Sequence, residues 1–317
     1  LSTHECGYDN GSEQTVMGDS MQAGEGGLTL VVIGVGLIGG SFALALRRAG
    51  RVAKVIGVGR SAANLQRAIE LGVIDEASHS AADAVRHADV VLVATPVGQM
   101  ARVFADIAPH LPAHCVVTDG GSTKSDVVAL MRQHLPAHLA SCVPAHPIAG
   151  SDLSGAAAAQ YGLYDNRRIV VTPLPETRPD AAALVRTLWQ ACGARVYEMS
   201  AAEHDAVFAT VSHLPHLLAF AYVDTIVAKA DAARCFDFAA TGFRDFTRIA
   251  GSHPEMWRDI ALANRDALLV ELDAFQATLA ALRQELLAGD AEAMTTRFER
   301  AREARQQWQQ HFNRGNA

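Results

Sequence analysis

The sequence predicts an α/β domain built on a parallel sheet, followed by an all-α domain, and three observations carry that expectation. Short apolar, β-branched runs alternate with helix-spaced segments from Leu28 to about Met199. A glycine cluster falls where the first run gives way to the first helical segment. Past Met199, glycines and β-branched runs become sparse and helical spacing dominates to the end, so the expected boundary separates residues 28–198 from 199–317.

Taken in order, Leu1–Gly27 is rich in Gly, Ser, Glu and Gln, has little hydrophobic periodicity and holds Met17 and Met21 as candidate starts, so it is expected to be a disordered leader without function. Leu28–Ile33 reads as a strand and Ser41–Ala49 as its helix. The alternation repeats with Val55–Val58 and Ala62–Leu71, Val90–Ala94 and Gln99–Ile107, then Cys115–Thr118 and Lys124–His134. These strands are continuously apolar rather than alternating, as strands covered by helices on both faces must be. Ala140–Val143, Ile169–Thr172 and Ala194–Tyr197 are further strand candidates, with a helix at Ala181–Ala191 before the last. In the second domain Leu268, Leu272, Phe275, Leu279, Leu282 and Leu286 step by four and three. Such a seam packs lengthwise on another helix, either within the chain or across a homodimer, and the homodimer is preferred.

Composition excludes several classes. Among 317 residues half are hydrophobic, fewer than a fifth are charged, and the net charge is −7 with no Lys/Arg stripe, which argues against a nucleic-acid partner. Cys6, Cys115, Cys142, Cys192 and Cys235 are odd in number, widely spaced and free of metal-binding patterns, as expected in a reducing cytoplasm. No apolar run reaches the roughly 20 residues that a membrane-spanning helix needs, and no charged-then-apolar signal peptide opens the chain.

Gly34-Val35-Gly36-Leu37-Ile38-Gly39 follows the first strand and opens the first helix. In that context the pattern is a dinucleotide fingerprint and makes the first domain Rossmann-type. Gly34 permits the tight turn, Gly36 the approach of a pyrophosphate and Gly39 close helix–strand packing, with Leu37 and Ile38 between them at the helix N-terminus. After the second strand comes Gly59-Arg60-Ser61, where an NAD-selective site offers an acid to the ribose 2′-hydroxyl. Arg60 can pair with a 2′-phosphate and Ser61 can donate to it, so NADP is the preferred cofactor, with NAD possible. Thr95 and Pro96, after the next strand, are expected to shape the cofactor pocket.

Three later stretches concentrate polar groups: Gly120-Gly121-Ser122-Thr123-Lys124, Pro144 to Ser151 around His146, and Ser212-His213-Leu214-Pro215-His216. The first two follow predicted strand ends, which puts Ser122 and His146 within reach of a nicotinamide ring. An imidazole titrates near operating pH, so His146 can accept a hydroxyl proton as hydride leaves the same carbon. His213 and His216 share a helix face with Pro215 between them, but no further ligand completes a metal site, and none is expected. Arg244 and Arg248 are each able to hold a carboxylate, with Arg244 read as a solvated surface residue.

In this order GVGLIGGS, GSTKSDV, AHPIAGSDLSG, ATVSHLPHLLAFA and GFRDFTRIAGSHPEMWRDI resemble the prephenate/arogenate (cyclohexadienyl) dehydrogenase family, from about Leu28 to at least Asn264. The resemblance implies oxidative decarboxylation of a cyclohexadienyl substrate in tyrosine biosynthesis. It implies His146 as the base, Ser122 on the substrate hydroxyl, Arg248 on a carboxylate, His216 and Ser212 orienting the side chain, and Trp257 closing the pocket or serving as ordinary core. Asp152 would pair with the ammonium of arogenate, or else cap a helix starting near Leu153. The Ser122–His146 segment is a few residues longer than the family pattern, and an insert around Pro136-Ala137-His138 is expected in a surface loop. The resemblance also implies a stand-alone enzyme, with any tyrosine inhibition acting at the active site.

Two rival readings remain at this point. A hydroxyacid dehydrogenase or reductase would need a catalytic lysine in the helical domain, where Lys229 stands alone. A non-catalytic NADP-binding redox sensor would have no use for paired Ser122 and His146.

Overall fold

The computed structural model describes residues 27–150 and 153–315, so the expected leader lies outside the described residues except for Gly27, and Asp152 lies outside them too. The elements run β1 Leu28–Ile33, α1 Leu37–Arg48, β2 Val52–Val58, α2 Ala62–Glu70, β3 Glu76–Ser78, α3 Ala81–Ala84, β4 Val90–Val93, α4 Val97–Ile107, β5 Val116–Asp119, α5 Ser125–His134 and β6 Cys142–Val143. Then come β7 Ala145–Pro147, β8 Arg168–Val171, α6 Pro179–Ala191 and β9 Arg195–Glu198. The helical part holds α7 Ala201–Phe208, a π-helical turn Ala209–His213, α8 Leu214–Val227, α9 Ala232–Asp237, α10 Thr241–Thr247, α11 Pro254–Ala263, α12 Arg265–Ala288 and α13 Ala291–Gly315.

The first six strands form one sheet in the order β3-β2-β1-β4-β5-β6, every neighbour parallel. Alternate residues of β1 feed two cores. Leu30 and Val32 pack with Phe42, Leu46 and Trp189, whereas Val31 and Ile33 pack with Met100, Phe104 and Ile107, the two-residue period of a strand covered on both faces. These four β1 side chains are at most 4% exposed, and each stabilises the fold by about 1.5–3 kcal/mol. That burial fixes β1 at the sheet centre. Later strands are added on one side as β2 and β3 and on the other as β4 to β6, so a crevice opens at the C-terminal ends of β1 and β4.

The structure departs from the sequence expectations in several places. Helix α1 starts at Leu37 inside the glycine motif rather than at Ser41, because Gly39 and Gly40 pay their poor propensity back in close packing on β1 and on Ala159. The expected strand Ala140–Val143 shrinks to Cys142–Val143 after a 3-10 stretch Pro136–Ser141, whose Pro136 and Ala137 are exposed. His146 does not sit in a loop after that strand. It lies in β7, which pairs antiparallel with β8, while β8 pairs parallel with β9 to make a second, three-stranded sheet. Pro144 has no N–H for a ladder, and the Ala145 N–H is taken by Asp119 Oδ1 at 3.0 Å, so the chain leaves the main sheet there. Among the described residues no helix starts near Leu153; a single 3-10 turn follows at Ala156–Ala158.

In the helical domain the stretch Ala201–Val227 is long and apolar enough by composition to cross a membrane, contrary to expectation. Within it His204, Asp205 and His213 are buried on protein partners, as polar groups withdrawn from water must be. Helices α12 and α13 form a hairpin through Gly289, whose φ of 65° is the left-handed turn that ends α12. Along the leucine seam Leu268 is buried, but Leu279 and Leu286 are 48% and 61% exposed, so the seam is only partly spent within the chain.

Candidate active site

The glycine motif turns directly off β1. Gly34 has φ 103°, and a Cβ there would lie 2.6 Å from the Ala94 carbonyl oxygen. At Gly39 a Cβ would lie 2.4 Å from the Gly34 carbonyl oxygen, so helix and strand meet backbone to backbone. A Cβ on Gly36 would meet nothing within 4 Å. The fold therefore does not need that glycine, and the space in front of it is open at the N-terminus of α1, which favours an anion. Ile38 and Leu37 open the helix, and the Tyr164 hydroxyl donates to the Ile38 carbonyl at 2.7 Å. At the end of β4, Thr95 Oγ1 is buried without a partner among the described residues, and Pro96 caps α4. These features fit a dinucleotide at the crevice.

At the end of β2, Arg60 is exposed and makes no ion pair among the described residues. Ser61 caps α2, its Oγ accepting the Asn64 N–H at 3.2 Å, which leaves the hydroxyl proton free to donate. The acid that would select a ribose hydroxyl is absent, since Gly59 holds that place.

Beyond β5, Asp119 organises the next loop. It is fully buried, and its carboxylate accepts the Gly121 N–H at 2.7 Å and the Ala145 N–H at 3.0 Å while pairing with the Lys124 ammonium at 2.5 Å. The loop bearing half-buried Ser122 and the strand bearing His146 are thus pinned to one carboxylate. Lys124 is itself fully buried, so its charge acts on the site with little screening.

His146 faces the helical domain, where it meets groups absent from the sequence expectation. Asp205 Oδ1 accepts the Lys124 N–H at 2.8 Å and Oδ2 accepts the Ser125 N–H at 2.7 Å, so this carboxylate caps α5. Asp205 Oδ1 also lies 2.8 Å from His204 Nδ1, and His204 Nε2 lies 2.8 Å from His146 Nδ1. A carboxylate only accepts, so His204 carries its proton on Nδ1, its Nε2 accepts from His146 Nδ1–H, and the His146 Nε2 lone pair meets no donor among the described residues. Burial works to raise the Asp205 pKa, but the bonds from His204, Ser125 and Lys124 hold it below the usual carboxylate range. Burial pushes His146 well below the usual imidazole value, and His204, Lys124 and His213 push the same way. His204 is lowered by burial against the pull of Asp205. The arrangement holds a neutral imidazole, tautomerically defined, with its acceptor nitrogen unpaired among the described residues.

Ser212 and His216 come together on one helix face, where the Ser212 carbonyl accepts His216 Nδ1–H at 2.9 Å. The His216 ring stacks on Trp257, centroids 3.4 Å apart. Arg248 lies near enough that its charge adds to burial in lowering the His216 pKa. Trp257 is half-buried, with Nε1 unpartnered among the described residues, and helps line a mainly apolar cavity of about 220 Å³ with His213 and Phe220. Arg244 is exposed and paired with Asp245, and Lys229 is exposed beyond α8. The sequence reading missed His204, Asp205, Asp119 and Lys124. The one available signal was a His-Asp pair inside the apolar run AAEHDAVFA.

Comparison with known proteins agrees with this architecture. Residues 42–198 match the family model described as prephenate dehydrogenase, nucleotide-binding domain, and residues 200–300 match prephenate dehydrogenase, dimerization domain. The chain is 35% identical over 278 residues to a cyclohexadienyl dehydrogenase of Zymomonas mobilis, covering 87% of this chain and 94% of that one. It is 37% identical over 279 residues to a prephenate dehydrogenase of Bacillus subtilis, covering 87% and 75%. The crystal structure of prephenate dehydrogenase from A. aeolicus with hydroxyphenyl propionate and NAD+ superposes with a TM-score of 0.84 at 33% identity, over 88% of this chain and 98% of that one.

Proposed function

Because the chain belongs to the prephenate dehydrogenase family, a family of nicotinamide-dependent oxidoreductases, we propose that it oxidatively decarboxylates prephenate or arogenate, and that His146 is the base. The observation carrying this reading is the Asp205–His204–His146 chain, which leaves the His146 Nε2 lone pair without a partner among the described residues. Ser122 and His146 hold the ring hydroxyl, and His146 takes its proton as the C–H bond at that carbon breaks. The bound nicotinamide supplies the hydride acceptor. The carboxylate on the opposite ring carbon leaves as carbon dioxide, its bonding pair completes the aromatic ring, and His146 returns the proton to the new phenol oxygen. His146 must be neutral to start, and burial with the neighbouring Lys124 charge keeps it so.

Arg248 holds the side-chain carboxylate, His216, set by Ser212, meets the keto or ammonium group, and Trp257 walls the ring. Asp152, which lies outside the described residues, is proposed to favour the ammonium of arogenate. NADP is the proposed cofactor, held at Gly34, Gly36, Leu37, Ile38 and Gly39, shaped by Thr95 and Pro96, with the 2′-phosphate on Arg60 and Ser61. The free Arg60 and the free Ser61 proton support this. We take residues 28–198 as the nucleotide-binding unit and 199–317 as a unit that forms a homodimer. Phe238, Leu262, Val270 and Leu287, between 65% and 81% exposed, support the second copy. The proposed compartment is the cytoplasm.

The test is turnover of prephenate and arogenate, each with NADP and NAD, followed by reduced-nicotinamide absorbance. Turnover of at least one pair is expected, fastest with arogenate and NADP. Equal rates with prephenate would remove the role given to Asp152, and no turnover in any pair would overturn the reading.

A further inference from the structure

A second buried histidine of the helical domain has its hydrogen-bonding state set from another helix. His213 is 2% exposed and ends the π-helical turn between α7 and α8, a distortion found often at functional sites. Asn264, at the junction of α11 and α12, is 5% exposed. Its Nδ2 donates to the Asp205 carbonyl oxygen at 2.8 Å and lies 3.0 Å from His213 Nδ1. A carbonyl oxygen can only accept, so the amide nitrogen and not the amide oxygen must face it, which settles the amide orientation by chemistry. The second amide hydrogen then points at His213 Nδ1. That ring nitrogen is an acceptor, and the proton of the neutral ring sits on Nε2.

Nε2 is buried and has no aligned partner among the described residues, while the Ser122 backbone is a hydrogen-bonding neighbour of this ring. Buried donors are normally satisfied, and one left open beside a reaction site calls for a use. We propose that Asn264 locks His213 as the Nε2–H tautomer, and that His213 is a positioning residue whose donor holds the Ser122 backbone, keeping the Ser122 hydroxyl in register with His146. The second half rests on the roles given to Ser122 and His146 above; the first half stands without them. Burial supports a permanently neutral ring, taking the His213 pKa down to about 4, with His204 and His216 adding to it and Asp205 opposing. A neutral donor suits a backbone carbonyl and adds no charge that would compete for the proton His146 must take. Hydrogen bonds in a site without substrate are often long and align when the reacting complex forms.

The lock is read without turnover, by long-range ¹H–¹⁵N correlation of the histidine rings at pH 7. The expected result is His213 protonated on Nε2 alone in the full chain and a tautomer mixture in Asn264→Leu. A Nδ1–H or charged ring in the unaltered chain overturns the lock. The positioning role is read kinetically. His213→Leu lowers kcat by ~10- to 100-fold with the cofactor KM unchanged, and His213→Gln, whose amide N–H replaces Nε2–H, recovers most of it. Unchanged kcat in His213→Leu, or no recovery in the glutamine variant, overturns that role. A chain that turns over no cyclohexadienyl substrate fails the catalytic reading, and the positioning role with it, while the ring spectrum still decides the lock.

Discussion

Asp205→Asn tests the hydrogen-bond chain at its origin. Asp205 accepts three bonds at 2.7–2.8 Å, from Lys124 N–H, Ser125 N–H and His204 Nδ1–H. Asparagine keeps one accepting oxygen and turns the other position into a donor. If the oxygen takes the Oδ2 place on the Ser125 N–H, the amide nitrogen takes the Oδ1 place, where it opposes the Lys124 N–H, faces His204 Nδ1 and forces that ring to the Nε2–H tautomer. His146 must then accept on Nδ1, and its Nε2 becomes a donor unable to take a proton. Loss of the correct tautomer in a comparable triad costs ~10⁴ in kcat, so a fall on the order of 10³–10⁴ is expected. The opposed backbone N–H costs about 1–3 kcal/mol of stability, a cost paid in the fold and visible as a lower Tm. Steady-state kinetics with both substrates, together with cofactor titration, separates the effects: kcat collapses while cofactor Kd stays within about threefold of the parent. A variant whose His204 ring reads as the Nε2–H tautomer by ¹H–¹⁵N correlation yet keeps kcat within threefold would refute the chain of tautomers from Asp205 to His146.

Acid should destabilise the protein through its buried imidazoles. The folded pKa of His213 is about 4, against about 6.5 unfolded, so the unfolded state binds the extra proton between these values and about 3 kcal/mol is lost as pH falls from 6.5 to 4; urea midpoints in His213→Leu should lack this slope. Because His146 is lowered too, kcat/KM should stay level from neutral pH down past 6.5 and fall only further into acid, and a midpoint at or above 6.5 would contradict the site electrostatics. Gly36→Ala should leave Tm unchanged yet weaken cofactor binding, because its Cβ meets no protein atom. Gly39→Ala should lower both, its Cβ falling 2.4 Å from the Gly34 carbonyl oxygen; equal effects in calorimetry would remove the distinction. Arg60→Ser should raise KM for NADP by ~10- to 100-fold, the value of a charge-assisted bond, and leave KM for NAD nearly unchanged.

The nucleotide half was legible because its signals are local. Leu30 to Ile33 must be apolar on both faces to lie inside a parallel sheet, and a glycine motif between strand and helix has few other uses. Strand β7 was invisible for the opposite reason: three residues after a proline, paired with a segment more than 20 residues later, leave no periodicity to read. Residues β3 Glu76–Ser78, exposed or half-buried, were lost in the same way. In the site, Ser122 and His146 stood out as polar groups near strand ends. His204 and Asp205 did not, because their meaning depends on contacts 58 and 80 positions away in the chain, and helical spacing cannot distinguish a buried relay from a solvated pair. Asn264 gave no local signal at all; only the junction of α11 and α12 brings it to His213.

The most direct test of the account is His146→Asn. Asparagine approximates the Nδ1 end of the ring and can still meet His204, but it has no lone pair where Nε2 stood. In this variant kcat is expected to fall by ~10²–10⁴, the usual contribution of a general base, with cofactor Kd and Tm close to those of the parent. Turnover retained within tenfold, with the same pH profile, would show that the proton leaves by another route and that His146 is not the base.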